Sequence, residues 1–280
     1  MVQIVTDSTS DLSREEQEQL HVRVIPLTVH FEDGSYQDGV DLSHEEFYEK
    51  LAVAEKLPTT SQVNPETFSA LFQSYVDAGD EVVALFISGE LSGTCQSARI
   101  AAQMVDPERV HVLDSRNVTF GLGLLVRQAA QLRDEGKTAG EIVSQIEELI
   151  DRIRLVAVVD TLKYLKMGGR LSTASAVVGG ILGINPIIAL EGGRVEAIGK
   201  VRGRKAAFEF MAKFLAQHPV DPAYPVAFGH SNAPALLEEC RSYFTPLIGT
   251  DRLVSGGIGC IVGTHAGPGA TGFAYVEAAR

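Results

Sequence analysis

A chain of 280 residues, 45% of them hydrophobic, can bury one large core or two smaller ones. Its net charge of −12 excludes a dominant attraction to phosphate backbones or anionic membranes, so no nucleic-acid partner is expected. Cys95, Cys240 and Cys260 are odd in number and far apart, without disulfide or zinc-site spacing, which fits a reducing cytoplasm.

The opening MVQIVTDS passes from a short apolar run straight into polar residues, without the charged start and long apolar core of a signal peptide. Residues 2–5, 22–31, 81–87, 110–113 and 155–159 then read as strands alternating with helical patterns, which predicts a mostly parallel sheet covered by helices. Local chemistry marks the helix starts. Ser43 with Glu46 and Thr138 with Glu141 have capping-box spacing, and Asn64 precedes Pro65 at a first helical position.

After about residue 160 glycine pairs punctuate the chain, in GGR at 168–170 and GG at 179–180 and 192–193. Strands at 186–190 and 194–201, joined by a turn of Glu191 and two glycines, predict an antiparallel hairpin. The expected fold is therefore α/β: an N-terminal, mostly parallel α/β/α domain over 1–160 and a smaller C-terminal α+β domain over 161–280. The longest nearly apolar stretch, 174–184, is well short of the ~20 residues that span a bilayer.

Three loops are rich in hydroxyls, the third in glycine as well: TDSTSD at 6–11, PTTSQ at 58–62 and SGELSGT at 88–94. The first and third follow a predicted strand and precede a helix, so a parallel sheet gathers them at its carboxyl edge, where open α/β folds bind ligands. Hydroxyls and helix N-termini there suit a carboxylate or phosphate without net positive charge. Ordinary helix capping accounts for any one of these loops alone.

The segment GGIGCIVGTHAGPGA at 256–270 reads as a strand-like run followed by Thr264, His265 and a Gly/Pro loop. A histidine there can donate to an anion, carry a proton near neutral pH, or simply cap a loop. Gly257, Gly259 and Gly263 lack dinucleotide-fingerprint spacing, and GKT at 136–138 lacks the leading glycine of a P-loop, so no nucleotide cofactor is expected. The seven histidines form no close pair at helix spacing, and no metal is expected. KVRGRKA at 200–206 and Arg170 read either as a solvated charged face or as contacts for an anion or acidic partner.

GHSNA at 229–233 approximates a nucleophile elbow, and Asp251 and His265 follow in the chain order of a hydrolase triad. A serine hydrolase acting on acyl esters through Ser231 is thus the rival reading. Against it, Ala233 replaces the final glycine, and parallel strands would put Ser231 and Asp251 at opposite edges. Ser231 or Asn232 capping a helix ahead of Pro234 explains the same residues.

Taken in order, VTDSTSDL, PTTSQ, LSGTCQSA, YLKMGGRLS, NPIIAL, KVRGRKA and VGTHAGPGA resemble the successive motifs of the DegV family over residues 5–270. The resemblance implies a two-domain α/β protein holding a long-chain fatty acid between its domains, carboxylate near the surface and chain in an apolar tunnel. It further implies a non-enzymatic binding subunit that presents the acid to a separate ATP-dependent fatty acid kinase subunit, which makes an acyl phosphate. A lipid-sensing module without a kinase is the related alternative. On the matching positions, Thr60 and Ser92 correspond to the carboxylate-binding pair and His265 to a third head-group residue, with Ser61, Gly93, Thr94 and Thr264 in the supporting loops. Arg170 and Arg202 resemble basic positions implicated in kinase docking or phosphate handling. The chain departs from the family at Gly89, Cys95, Met167, Asn185 and Ala266, where serine, tyrosine, lysine, lysine and threonine are frequent. No departure touches a head-group residue, while two remove basic groups from the implied docking face.

Overall fold

The computed structural model describes residues 1–172 and 183–279. In chain order the first elements are β1 (Val2–Asp7), a 3-10 turn (Ser8–Ser10), α1 (Arg14–Gln19), β2 (Val22–Ile25), β3 (Thr28–Phe31), β4 (Gly34–Gln37), α2 (His44–Val53) and β5 (Thr59–Ser61). Then come α3 (Pro65–Asp77), β6 (Glu81–Phe86), α4 (Thr94–Val105), β7 (Val110–Asp114), α5 (Thr119–Asp134), α6 (Ala139–Ile150) and β8 (Ile153–Val158). The remainder is α7 (Lys163–Met167), β9 (Ile184–Glu191), β10 (Arg194–Arg202), α8 (Arg204–Gln217), β11 (Val226–His230), α9 (Pro234–Ile248), β12 (Leu253–Gly257), α10 (Cys260–Ala266) and β13 (Thr271–Val276).

β2, β1, β6 and β7 form a parallel sheet in that order. Its central strand β6 is buried on both faces, which is why its sequence EVVALF is a continuous apolar run rather than an alternation. Val83 and Leu85 pack with Leu122 and Leu125 of α5 and Ile146 of α6, while Val82, Ala84 and Phe86 pack with Phe68 and Phe72 of α3 and Ala98 of α4. Burying each large side chain contributes about 1.5 to 3 kcal/mol. Both expected capping boxes form, at Ser43–Glu46 and Thr138–Glu141, and Asn64 caps α3 ahead of Pro65. A further box, Ser13–Glu16, starts α1.

The second sheet is mixed, in the order β10-β9-β8-β13-β11-β12. Its hairpin β9–β10 pairs antiparallel, as its glycine turn predicts, with a register shift between Ala197 and Gly199. α8 and α9 cover one face through Phe208, Met211, Leu237 and Phe244. The sheets are thus a parallel layer flanked by helices and a second layer with its own helices.

Three local readings are corrected. Residues 22–31 are two strands rather than one: Pro26 has no N–H for a ladder, and the chain leaves the parallel sheet after β2 to join β3 to β4 and β5. The strand at 155–159 belongs to the mixed sheet, antiparallel to both β9 and β13. The run at 256–270 is not one strand before a loop: β12 ends at Gly257 and Cys260–Ala266 is helical, so VGTH lies on a helix. The glycine pair 179–180 and most of the apolar stretch 174–184 lie outside the described residues. Among the described residues no helix is long and apolar enough to cross a membrane.

Candidate functional site

Where β6 and β7 end, the loops after them meet the uncovered face of the mixed sheet. Between the two lies a cavity of about 390 Å³. Its walls are apolar and come from both layers, with Ile87, Val118 and Phe120 on one side and Ile188, Val262 and Phe273 on the other. Phe120 fits there because Gly229 has no side chain: a Cβ at that glycine would stand 1.8 Å from the ring. The polar groups named in the sequence gather on the same cavity, where Thr60, Ser61, Ser92, Gly93, Arg170 and His265 all line it.

Thr60 is brought there by β5, the edge strand that pairs it with Val29 of β3. Ser92 stands in the loop from β6 to α4, folded over Ser88, whose carbonyl accepts from the N–H groups of Leu91 and Ser92. α4 begins at Gly93 with no side chain capping it. Ser92 Oγ is 3.0 Å from Thr94 Oγ1 and accepts from Thr94 N–H at 3.3 Å. Thr94 is therefore a buried support for Ser92 and does not line the cavity. Gln62, whose part the sequence reading missed, stitches the two loops. Its Nε2 donates to Ser97 Oγ at 2.9 Å, and its Oε1 lies where a Cβ on Gly93 would be, 1.9 Å away. A glycine directly before a helix, facing a glutamine two residues after a threonine pair, is a weak sequence signal, and only the fold joins them.

His265 arrives on α10, which has an anchored N-terminus. Asp11 Oδ1 accepts from Gly259 N–H and Asp38 Oδ1 from Cys260 N–H, both at 3.0 Å. Carboxylates suit this position because the first N–H groups of a helix have no intrahelical partner. Thr264 donates its hydroxyl to Cys260 O at 2.8 Å and lies buried outside the cavity lining, so its role is within the helix. His265 Nε2 is 3.0 Å from Thr60 Oγ1, while Nδ1 is buried without a partner. A Cβ on Gly168 would stand 2.2 Å from Nδ1, so glycine is what permits this ring position.

Burial, and after it the charge of Arg170, push the His265 pKa down to about 4. The ring is therefore neutral at pH 7, so of the roles the sequence left open it does not take that of carrying a proton near neutrality. Arg170 is itself fixed, donating from Nε to Leu91 O at 3.1 Å and from Nη1 to Gly168 O at 2.6 Å. Arg202 is exposed at the end of β10 and does not line the cavity. The neighbouring Arg204 pairs with Glu239 at 3.0 Å, which supplies the compensating anion for that part of the basic cluster.

The hydrolase constellation does not assemble. Ser231 is buried and its Oγ accepts from Ala270 N–H at 2.8 Å, while β11 and β12 run parallel, so Ser231 follows one strand and Asp251 precedes the other at the opposite edge. The helix-cap reading of Ser231 or Asn232 is also corrected: the N-cap of α9 is Ala233, no side chain caps the helix, and Ala233 N–H donates to His230 Nδ1 at 3.0 Å.

The loop at 6–11 sits at the same sheet edge but does not line the cavity. Asp7 there accepts from the N–H and hydroxyl of Thr9 and from Ile87 N–H at 2.9 Å, and burial raises its pKa to about 6.

A family model, "Uncharacterised protein, DegV family", matches residues 1–278. A DegV domain-containing protein of Caldanaerobacter subterraneus subsp. tengcongensis is 40% identical over 277 residues, covering 99% of each chain. Among solved structures, a DegV family protein from Thermus thermophilus characterised for fatty acid binding superposes with a TM-score of 0.89 at 34% identity, covering 99% of each chain. A stearic acid-binding protein from Eubacterium ventriosum superposes with a TM-score of 0.87 at 28% identity, over 99% of this chain and 98% of its own.

Proposed function

The chain belongs to the DegV family, and from that premise we propose that it binds a long-chain fatty acid, carboxylate on Thr60 and Ser92 and acyl chain in the apolar cavity. The observation that carries this reading is a cavity of about 390 Å³ with apolar walls and a cluster of hydroxyls, at Thr60 and Ser92, on its lining. Each buried methylene contributes roughly 0.8 kcal/mol, while a few fixed donors orient the carboxylate. Affinity and placement thus come from different parts of the ligand.

Neutral His265 sharpens the assignment. With the ring proton on Nε2, His265 donates to Thr60 Oγ1 and leaves the Thr60 hydroxyl proton to donate to the carboxylate. The buried Nδ1 then holds a lone pair rather than a stranded N–H. Ser92, accepting from Thr94 N–H, keeps its own proton for the second carboxylate oxygen. The chain itself catalyses nothing in this reading: it presents the acid, in the cytoplasm, to a separate ATP-dependent fatty acid kinase subunit. Arg170 beside the head group and exposed Arg202 are its contacts for that partner or for the acyl phosphate.

The test is to purify the protein without delipidation, denature it and identify released ligand by mass spectrometry. A near-stoichiometric long-chain fatty acid supports the proposal. Its consistent absence, with no binding of added fatty acids, overturns it. Acyl phosphate formed only when this protein, a kinase subunit and ATP are combined supports the handover, and lipid binding without it leaves a lipid-sensing module.

A further inference from the structure

The two hydroxyls assigned to the carboxylate stand on separately held pieces of chain. Thr60 is on β5, an outer strand of the sheet β4-β3-β5 that pairs with β3 alone among the described residues. Ser92 is in the loop between β6 and α4, and β6 belongs to the parallel sheet. One carboxylate can accept from both only if the two pieces keep a fixed spacing, because a displacement of about 1 Å is enough to lose a hydrogen bond.

Gln62 spans that gap. It is the first residue after β5, and its Nε2 donates to Ser97 Oγ at 2.9 Å, in the first turn of α4. Ser97 is only 2% exposed, so the acceptor end of this bond is fixed by the core. The carbonyl end of the same amide rests on Gly93, directly after Ser92: a Cβ there would stand 1.9 Å from Oε1 and 2.8 Å from Cδ. Gly93 has φ −73° and ψ 0°, a backbone open to residues with a Cβ, so the turn itself does not call for glycine. The amide lying on it does. One side chain therefore holds both α4 and the neighbour of Ser92 against the strand that carries Thr60.

Gln62 lines the cavity and is at the same time exposed, which puts it at the rim. A hydrogen bond made at a solvated rim adds little to folding, and an amide brings no charge to the site. What it supplies is placement.

We propose that Gln62 is a positioning residue for the fatty acid head group, setting the spacing of Thr60 and Ser92 and with it the preference for a carboxylate over an uncharged head. This rests on the fatty acid reading above and adds to it a residue outside the donor pair.

The experiment compares hexadecanoic acid with hexadecan-1-ol, which has the same chain without the carboxylate. Each displaces a fluorescent fatty acid from wild type, Gln62→Ala, Gly93→Ala and the double variant. Gln62→Ala should weaken the acid about tenfold, leave the alcohol within about twofold and keep the thermal unfolding midpoint. Gly93→Ala, whose methyl group displaces the amide, should give the same selective loss. The double variant should lose no more than either single one, because both act through one contact. Gln62→Glu should weaken the acid further than Gln62→Ala, by setting like charges side by side, and again spare the alcohol. If Gly93→Ala does not fold, Ser97→Ala takes its place, since it removes the acceptor of the same bond. Unchanged binding in Gln62→Ala, equal losses for acid and alcohol, or additive losses in the double variant overturn the positioning role while leaving fatty acid binding intact. Failure of wild type to bind the acid overturns the fatty acid reading, and the positioning role with it.

Discussion

The loops at 6–11 and 88–94 are both rich in hydroxyls and follow neighbouring parallel strands, yet one bonds to its own fold while the other lines a cavity. In the first, every polar group but two works on the protein's own backbone and side chains. Asp7 holds Thr9 and Ile87, Ser8 Oγ accepts from Leu27 N–H, Ser10 donates to Asp7 O and Asp11 holds α10, leaving only Thr6 Oγ1 and Asp11 Oδ2 buried without partners. In the second, the Ser92 hydroxyl meets only Thr94 among the described residues, and Ser92 still lines the cavity. Hydroxyl content marks a sheet edge with unmet N–H groups. Whether those hydroxyls serve the fold or a ligand depends on what the rest of the chain brings against them.

The comparison is broken most severely at Asp7. Asp7→Ala leaves three donors without their acceptor in a buried site, and should cost on the order of 4 kcal/mol of unfolding free energy in a urea titration. A loss below 1 kcal/mol would mean that this loop is not the structural one. In the other loop, Ser92→Ala, like Thr60→Ala on β5, should weaken fatty acid binding by about 1.5 to 3 kcal/mol in calorimetry, the range for a hydrogen bond to a charged group. Stability should stay within about 0.5 kcal/mol of wild type. If both variants keep full affinity, the head group lies elsewhere.

Much of this was legible beforehand, for physical reasons that differ by residue. Capping boxes and the β9–β10 hairpin are local chemistry, complete within a few residues, and Ser43, Thr138 and Asn64 behave as their spacing predicts. Thr60, Ser92 and His265 were reached through a resemblance of motifs, and composition alone ranked the 6–11 loop beside them. What stayed hidden is non-local. The helix Cys260–Ala266 is short, glycine-flanked and β-branched in part, and takes its shape from Asp11 and Asp38, more than two hundred residues earlier in the chain. The neutrality of His265 likewise comes from burial against Gly168 and from Arg170, neither of which its own sequence neighbourhood encodes.

Titration sharpens the comparison further, because the two sites respond to acid with opposite signs. The pKa of His265 falls from 6.5 unfolded to about 4 folded, so its contribution is present above pH 6.5 and is lost as pH falls toward 4. Asp7 rises from 3.8 to about 6, so its contribution is present below 3.8 and is lost as pH rises through 6. Measured as differences from wild type, so that other groups cancel, His265→Gln should gain ground between pH 6.5 and 4 and Asp7→Asn should lose it between 6 and 3.8. Each drift should reach at most about 3 kcal/mol. Parallel drifts would show that one of the two groups is not in the protonation state assigned to it.

The smallest effect on the isolated protein is expected where the same contrast is repeated in arginines. Arg170 is engaged, gripping Leu91 O and Gly168 O beside the head group, so Arg170→Ala should loosen both loops and weaken fatty acid binding along with any handover. Arg202 is exposed, and among the described residues its side chain has no hydrogen bond or ion pair. Arg202→Ala should therefore change stability and fatty acid affinity by less than about 0.5 kcal/mol. If the exposed group serves a partner, its loss appears only when kinase and ATP are present, as a fall in kcat/KM whose size shrinks with added salt. A weakened affinity for fatty acid alone would instead place Arg202 with the engaged groups, and would move the docking assignment to Arg170.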